Sequence, residues 1–573
     1  MIASRFRFVA LLVALSICVC MIQADTTSEA KTSKVSTETQ KRIERRYRYA
    51  YALYMEPLAS KDRFFRCIAI VGMNKVDTKY VLKPIYDTAM TDKDPIVRAF
   101  AFQAMLPRMK DLTDEQYTAL MTKALDDARK GYLRGELRVG LFQHLRCFAP
   151  NDLKGAVARD FFFLLQKCSH LNPADTPVLI EMRNLMAHWQ DKALITRCCS
   201  AMTRDGSANK YEFVLGGLNP EIPAVGQVNA KASWTATKAT WTKWLRATTL
   251  QPKPKADRKT LKATSLLPAP RKIVNPDAPE WNENLEIDKL TIKQFDLAFV
   301  MDATGSMGGP MKWVASNLGS LMNMVGLVCS DPRIGVTLFR HELDPSIQAP
   351  CCKEPFSPEN KPTGTKKPKG KKKGKKKFKP GPIFGCATLF ALSGKTSAMA
   401  SGLARFQPFG GNYLHPGGAV AGGLKQALEK QPWAKGESAK KIIVLIGDSL
   451  ITNSAAPRST EVATALATAA KGRGFVIHSL ILKGKLPGYV AVAEAGGGKA
   501  LKAKLPPGFQ AGIPKAGFVP KYKTCENGQL IAPYSSDTPF STLANEIMKT
   551  IIPESYHKRI APLVKVLLTY SKS

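Results

Sequence analysis

The chain has 573 residues, 45% of them apolar, with 84 Lys and Arg against 46 Asp and Glu, a formal net charge of +38. That composition excludes a wholly disordered chain and a small disulfide scaffold, and leaves room for roughly two to four domains with real cores. The cationic excess favours anionic partners such as nucleic acid, acidic polymers or a membrane surface, and because residues 361–379 hold 11 lysines and no acid, +27 remains without them.

Residues 1–24 read as an export signal: Arg5 and Arg7 precede the apolar run Phe8–Met21, and Ala24 can end a cleavage site. The mature chain is therefore expected in the periplasm, at the cell surface or outside the cell. No later stretch reaches about eighteen unbroken apolar residues, so no transmembrane span is expected after the signal. Some of the cysteines beyond Cys18 and Cys20 should pair in such a compartment; Cys351 or Cys352 with Cys386 is the first candidate pairing.

Residues 25–40 are rich in Thr, Ser and Lys and read as a disordered leader. From 41 to 245 apolar residues recur at spacings of three and four, the period of packed helices. In DKDPIVRAFAFQAML, Asp92–Leu106, Asp94 can cap and Pro95 opens the helix. Ile96, Val97, Phe100, Ala101, Ala104 and Met105 then make one apolar face. This segment resembles the second helix of a HEAT-type repeat, and helices over 113–129, 133–148, 151–170 and 174–204 are expected to continue a solenoid. An unrelated helical bundle is the alternative. Trp234, Trp241 and Trp244 share a face of the closing helix and are expected to pack on the last repeat. Residues 246–293, with six prolines between Pro252 and Pro279, read as a Pro/Lys-rich linker that leaves the two parts free to move.

From Phe295 strands and helices alternate, with strands expected over 295–301, 333–340, 387–392, 440–446 and 474–482, and helices over 310–328, 396–406, 417–430, 459–471 and 488–495. That alternation predicts a doubly wound parallel sheet. The apolar run Leu297–Met301 ends at Asp302, with Thr304 and Ser306 following at alternate positions. Such a run reads as a buried strand, and ligands of open α/β sheets lie at the carboxyl edge. A carboxylate with two hydroxyls offers hard oxygen ligands to Mg²⁺, Mn²⁺ or Ca²⁺; the same residues could equally cap a helix.

The stretch FDLAFVMDATGSMGGPM resembles the first strand and metal loop of a von Willebrand factor A domain, in the D-x-T-G-S-M form of exported bacterial proteins. Further similar blocks follow in order: RIGVTLFRHE at 333–342, FGGN at 409–412, AKKIIVLIGDS at 439–449 and AVAEAGGGKA at 491–500. The resemblance covers 294–555 and leaves 556–573 as a C-terminal tail. It implies a Rossmann-like doubly wound fold after a HEAT/armadillo-like helical region. It also implies a metal-ion-dependent adhesion site in which Asp302, Thr304, Ser306 and Asp448 hold a divalent cation, Mg²⁺ first, and a protein partner's acidic residue completes the shell. Where the family supplies a threonine from a second loop, this chain reads GGNYLHPGGAV, Gly410–Val420, and Tyr413 or His415 stands near the missing hydroxyl.

The insertion 353–385 is low in complexity and expected to be disordered. Lys366, Lys367, Lys369, Lys371, Lys372, Lys373, Lys375, Lys376, Lys377 and Lys379 could tether an anionic envelope polymer through salt-sensitive contacts. Phe378 is the only aromatic among them, so specific nucleic-acid recognition has no support. Two functions follow from different premises. One is an exported, non-enzymatic binding protein with a working metal site. The other is a structural envelope protein with a vestigial site that binds through charge. A third, minor reading takes GDSL at 447–450 as an esterase block with Ser449 as nucleophile and Glu554-x-x-His557 as its partner segment. It lacks the Gly-x-Asn-Asp block between them.

Overall fold

The computed structural model describes residues 36–153, 155–168, 175–202, 207–219, 233–281, 292–339, 386–406, 420–436, 439–448, 451, 458–482, 484, 486–503, 523–524, 530–531 and 539–571. The export-signal segment, the lysine-rich insertion, Tyr413, His415, Cys351 and Cys352 lie outside them.

The helical part begins with α1 (Thr37–Leu58), α2 (Arg63–Asn74), α3 (Leu82–Thr91), α4 (Pro95–Met105) and α5 (Asp114–Arg129). It continues with α6 (Val139–His144), α7 (Ala156–Lys167), α8 (Thr176–Trp189), α9 (Lys192–Ala201), α10 (Ser207–Leu215) and α11 (Ser233–Ala247). Helix α1 starts inside the expected leader because Ser36 caps it, its side chain accepting from the Thr39 amide. The helix expected over 174–204 is two. Gln190 takes φ +47°, and Asp191 then caps α9 by accepting from the Leu194 amide. Asp94 and Pro95 start α4 as expected, with the Asp94 side chain accepting from the Ile96 amide.

Successive helix pairs are joined by buried ion pairs. Arg66 on α2 holds Asp92 after α3 with two of its guanidinium nitrogens, at 2.8 and 3.1 Å. Arg98 on α4 holds Asp127 on α5 at 2.8 and 2.9 Å, and Arg138 before α6 holds Asp175 before α8 at 2.9 Å. Arg66 and Arg98 each stand four residues after a capping aspartate, Asp62 and Asp94. This is an internal repeat in the packing.

The proline-rich segment does not behave as a free linker. It runs back along the helices as a strap, donating from the Lys253 amide to the His188 carbonyl at 2.9 Å and from the Ala256 amide to the Arg146 carbonyl at 3.0 Å. The Thr264 amide donates to Gln143 at 2.7 Å, and that of Leu266 to Gln103 at 2.9 Å. Pro268 accepts from the Asn74 side chain at 2.7 Å, Arg271 pairs in parallel with the Lys75–Asp77 backbone, and Pro276 accepts from Arg46 at 2.9 Å. An extended proline-bearing chain has no internal hydrogen bonds, so its backbone groups are available to side-chain amides of the helices.

The C-terminal part holds strands β1 (Ile292–Asp302), β2 (Cys329–Phe339), β3 (Cys386–Ser393), β4 (Lys440–Gly447), β5 (Phe475–Ile481) and β6 (Gly497–Lys502). They form one sheet in the order β3-β2-β1-β4-β5-β6. Alternating with them are α12 (Gly308–Val328), α13 (Thr396–Arg405), α14 (Val420–Lys430), α15 (Ser459–Gly472) and α16 (Pro487–Ala495). The sheet is mixed rather than all parallel: β3 runs antiparallel to β2 at one edge, a common exception in doubly wound sheets. A short pair, β7 (Lys523–Thr524) and β8 (Leu530–Ile531), stands apart from the sheet.

Leu297 through Met301 are fully buried because β1 is central and covered on both faces. Leu297, Phe299 and Met301 join the large core with α12, whereas Ala298 and Val300 pack with Val420, Leu424, Ala463 and Ala467 of α14 and α15. Each of the larger side chains contributes on the order of 1.5–3 kcal/mol when fully buried.

Residues 556–573 are not a loose tail. After α17 (Pro539–Ile551), α18 (His557–Ser571) packs against α12 on one side and α2 on the other. Leu563, Val564, Val566, Leu567 and Leu568 are buried there, in a core cluster that also holds Phe64, Phe100 and Phe299. Strap and closing helix together tie the helical and α/β parts, in place of the independent motion expected from the prolines.

Candidate metal centre

Strands β2 and β4 flank β1 in parallel, and the chain order reverses between β1 and β4, where open α/β sheets leave a crevice at the carboxyl edge. Met301 pairs with Ile446, which puts Asp302 one residue and Asp448 two residues beyond that pair on neighbouring strands about 4.8 Å apart. Asp302 is buried and Asp448 half-buried.

The loop after β1 is held at both ends. The Ala303 amide donates to the Phe339 carbonyl at 2.8 Å, and the Thr304 amide donates to Asp302 Oδ1 at 2.8 Å. Buried Ala303 and Met307 anchor it, while Thr304 is half-buried and Ser306 exposed. Thr304 Oγ1 and Ser306 Oγ lie 3.2 Å apart. The alternative reading of the triplet as a helix cap is not realised: α12 begins at Gly308, and Met307, its capping position, makes no side-chain hydrogen bond.

The donor set, two carboxylates and two hydroxyls, is of the hard-oxygen kind that divalent cations take. Adjacent oxygens of an octahedral shell lie about 2.9 Å apart around Mg²⁺ and about 3.4 Å apart around Ca²⁺, from usual metal–oxygen distances of ~2.05 and ~2.4 Å. The hydroxyl pair falls between these values. Two carboxylates neutralise such an ion and the hydroxyls add ligands without charge, which leaves the ion open to one more acidic group. Among the described residues no group of three or more His, Cys, Asp or Glu could hold a metal, so a soft zinc-type cluster has no support within them.

A second buried aspartate of β1 marks the contrast. Asp296, six residues earlier, is bound by Arg333 at 2.8 and 2.7 Å and accepts from the Ala434 amide at 2.7 Å. It is a structural ion pair, set well back along the strand from the crevice.

Against the end of β4 lies a residue that the sequence does not point to. Tyr489 of α16 is fully buried, and its hydroxyl has no hydrogen-bond partner among the described residues. A Cβ built on Gly447 would lie 1.9 Å from that oxygen, so any side chain there makes the ring or the strand end shift. Burial, and then the charges of Asp302 and Asp448, hold the phenol well above the usual tyrosine range. It stays protonated and can donate. In the sequence it sits in an ordinary helical run, GYVAVAEA, where a lone tyrosine gives no sign of the site 41 residues before it.

Of the other expected site residues, Tyr413, His415 and the insertion lysines lie outside the described residues, as does Ser449 of the esterase reading. His557 begins α18, with its Nε2 2.9 Å from the Ile552 carbonyl. Among the described residues no helix is long and apolar enough to cross a membrane.

No protein-family model matches the chain, and no curated protein does. Among solved structures it is similar to proximal thread matrix protein 1 from the mussel byssus. The form described with a zinc-occupied MIDAS motif is 12% identical and a second structure is 11% identical, each with a TM-score of 0.24. The match covers 37% of this chain and 42% of the other, so the chain spans less than half the length of those proteins. Likeness this slight carries no argument about fold, metal or partner.

Proposed function

We propose that the chain is an exported, non-enzymatic binding protein whose C-terminal part is a von Willebrand factor A-type domain. In this reading Asp302, Thr304, Ser306 and Asp448 hold a divalent cation, Mg²⁺ by preference, and an acidic side chain of a protein partner completes its shell. The helical part, a HEAT-like array, offers a second surface. One observation carries the reading: two carboxylates end neighbouring strands at the point where the chain order reverses, beside two hydroxyls 3.2 Å apart. The ion would supply a positive, hard Lewis-acid centre; the chain's own residues would fix its position at the sheet edge.

The charge of +38 favours a second reading, in which lysines rather than a cation do the binding. Binding of full-length chain to an array of acidic peptides, in Mg²⁺ and after EDTA, separates the two. The first reading expects binding that is lost with EDTA and with Asp302→Ala. Binding that ignores EDTA but collapses at about half-molar salt, where the screening length is only a few ångströms, supports the second.

A further inference from the structure

We propose that Tyr489 is a positioning residue of the cation site: when an ion draws Asp302 and Asp448 together, the buried hydroxyl at the end of β4 donates a hydrogen bond to their carboxylates and holds them in place. The proposal rests on the metal reading above and adds a residue that the resemblance to a known metal loop does not supply.

The argument is one of placement and need. A buried hydroxyl without a partner is unfavourable, and most native structures find it one. Tyr489 Oη is fully buried and unpartnered among the described residues, and packs on Gly447, the residue immediately before Asp448. The charges that act on it are those of Asp302 and Asp448. An ion draws the two carboxylates together, and a neutral donor at the end of β4 then orients them without competing for the ion. Partners of this kind orient ligating carboxylates and typically alter metal affinity about tenfold or more. The glycine at 447 completes the device: it lets the ring approach the backbone where any side chain would displace it.

The test is calorimetric titration of the full chain with Mg²⁺ and with Mn²⁺, for wild type and Tyr489→Phe, together with melting temperatures of both proteins in EDTA and at saturating cation. The Phe variant is expected to bind about tenfold more weakly, while its melting temperature in EDTA is equal to or above that of wild type. The two temperatures then converge or cross as cation is added. Wild-type affinity in Tyr489→Phe overturns the proposal and leaves the metal reading standing. A Phe variant that fails to fold, or melts lower in EDTA, also overturns it, because the hydroxyl then serves the fold alone. A wild-type chain that binds neither cation refutes the metal reading and this proposal with it.

Discussion

Arg98 and Asp127 meet through two parallel hydrogen bonds, at 2.8 and 2.9 Å, between one helix pair and the next. Both are buried, and Lys123 stands 3.4 Å from the same carboxylate. Arg98→Ala leaves Asp127 with the lysine alone and should cost about 3 kcal/mol, near the low end for breaking a buried pair. The double variant Arg98→Ala/Asp127→Ala should cost less than the single. Urea denaturation of Arg98→Ala, Asp127→Ala and the double variant measures the coupling; a double variant as unstable as the sum of the singles would show that the pair is not coupled.

Gly447 faces the Tyr489 hydroxyl, so Gly447→Ala forces the ring or the strand end to move and should destabilise the chain by about 1–3 kcal/mol. Most of that loss should return in Gly447→Ala/Tyr489→Leu, where the colliding oxygen is absent. Thermal melts of wild type and the three variants close the cycle.

The strap makes some of its contacts with side chains buried in the helices. Gln103 is 1% exposed, accepts from the Leu266 amide and donates to the Leu137 carbonyl. Gln103→Ala should cost about 1–3 kcal/mol and leave the Leu266 amide without its acceptor. Hydrogen exchange read at residues 264–267 should then quicken while exchange in β1 stays unchanged. A free linker would exchange quickly in both proteins.

Two buried histidines set an acid limit. His478 accepts from the Lys499 amide at 3.1 Å and lies 3.0 Å from Thr550 Oγ1, with Glu546 and the Lys499 ammonium as neighbouring charges. His144 lies 3.2 Å from the Tyr117 hydroxyl. Burial pushes both imidazoles down to about 4. The unfolded chain, with histidines near 6.5, therefore takes up protons that the folded chain refuses, and stability is lost as pH falls from about 6.5 through 4. Each histidine should account for on the order of 2–3 kcal/mol of that loss. His478→Gln should make the fall in melting temperature between pH 7 and 4.5 smaller than in wild type; an unchanged fall would remove His478 from the explanation.

Most of the α/β part is legible in the sequence because its signals are local. Leu297–Met301 and Ile442–Ile446 are unbroken apolar runs, which read as central strands and are found as β1 and β4. Asp302 and Asp448 are visible as the residues that end those runs. What is not legible depends on contacts between distant residues. Strand β6, Gly497–Lys502, has two glycines and two lysines in six residues and owes its conformation to pairing with β5. The strap's prolines signal an extended chain, but distant partners such as Gln103, Gln143, Asn74 and the His188 and Arg146 carbonyls decide that it is bound rather than free. Tyr489 meets Gly447 at the end of β4 because α16 packs against β5 and β6, a fact no spacing encodes. The helical repeat was partly legible: Arg98 marks one unit, and Arg66 and Arg138 complete the series only once their partners Asp92 and Asp175 are seen beside them.

The central claim is that Asp302, Thr304, Ser306 and Asp448 bind a divalent cation, and calorimetric titration of the full-length chain with Mg²⁺, Mn²⁺ and Ca²⁺ tests it most directly, with Asp302→Ala and Asp448→Ala as controls. The expected result is one cation per chain in wild type, with binding abolished or weakened at least about a hundredfold in each variant, as the loss of a carboxylate ligand to a hard ion requires. A wild-type chain that binds none of the three ions, or variants that bind as wild type does, would contradict it.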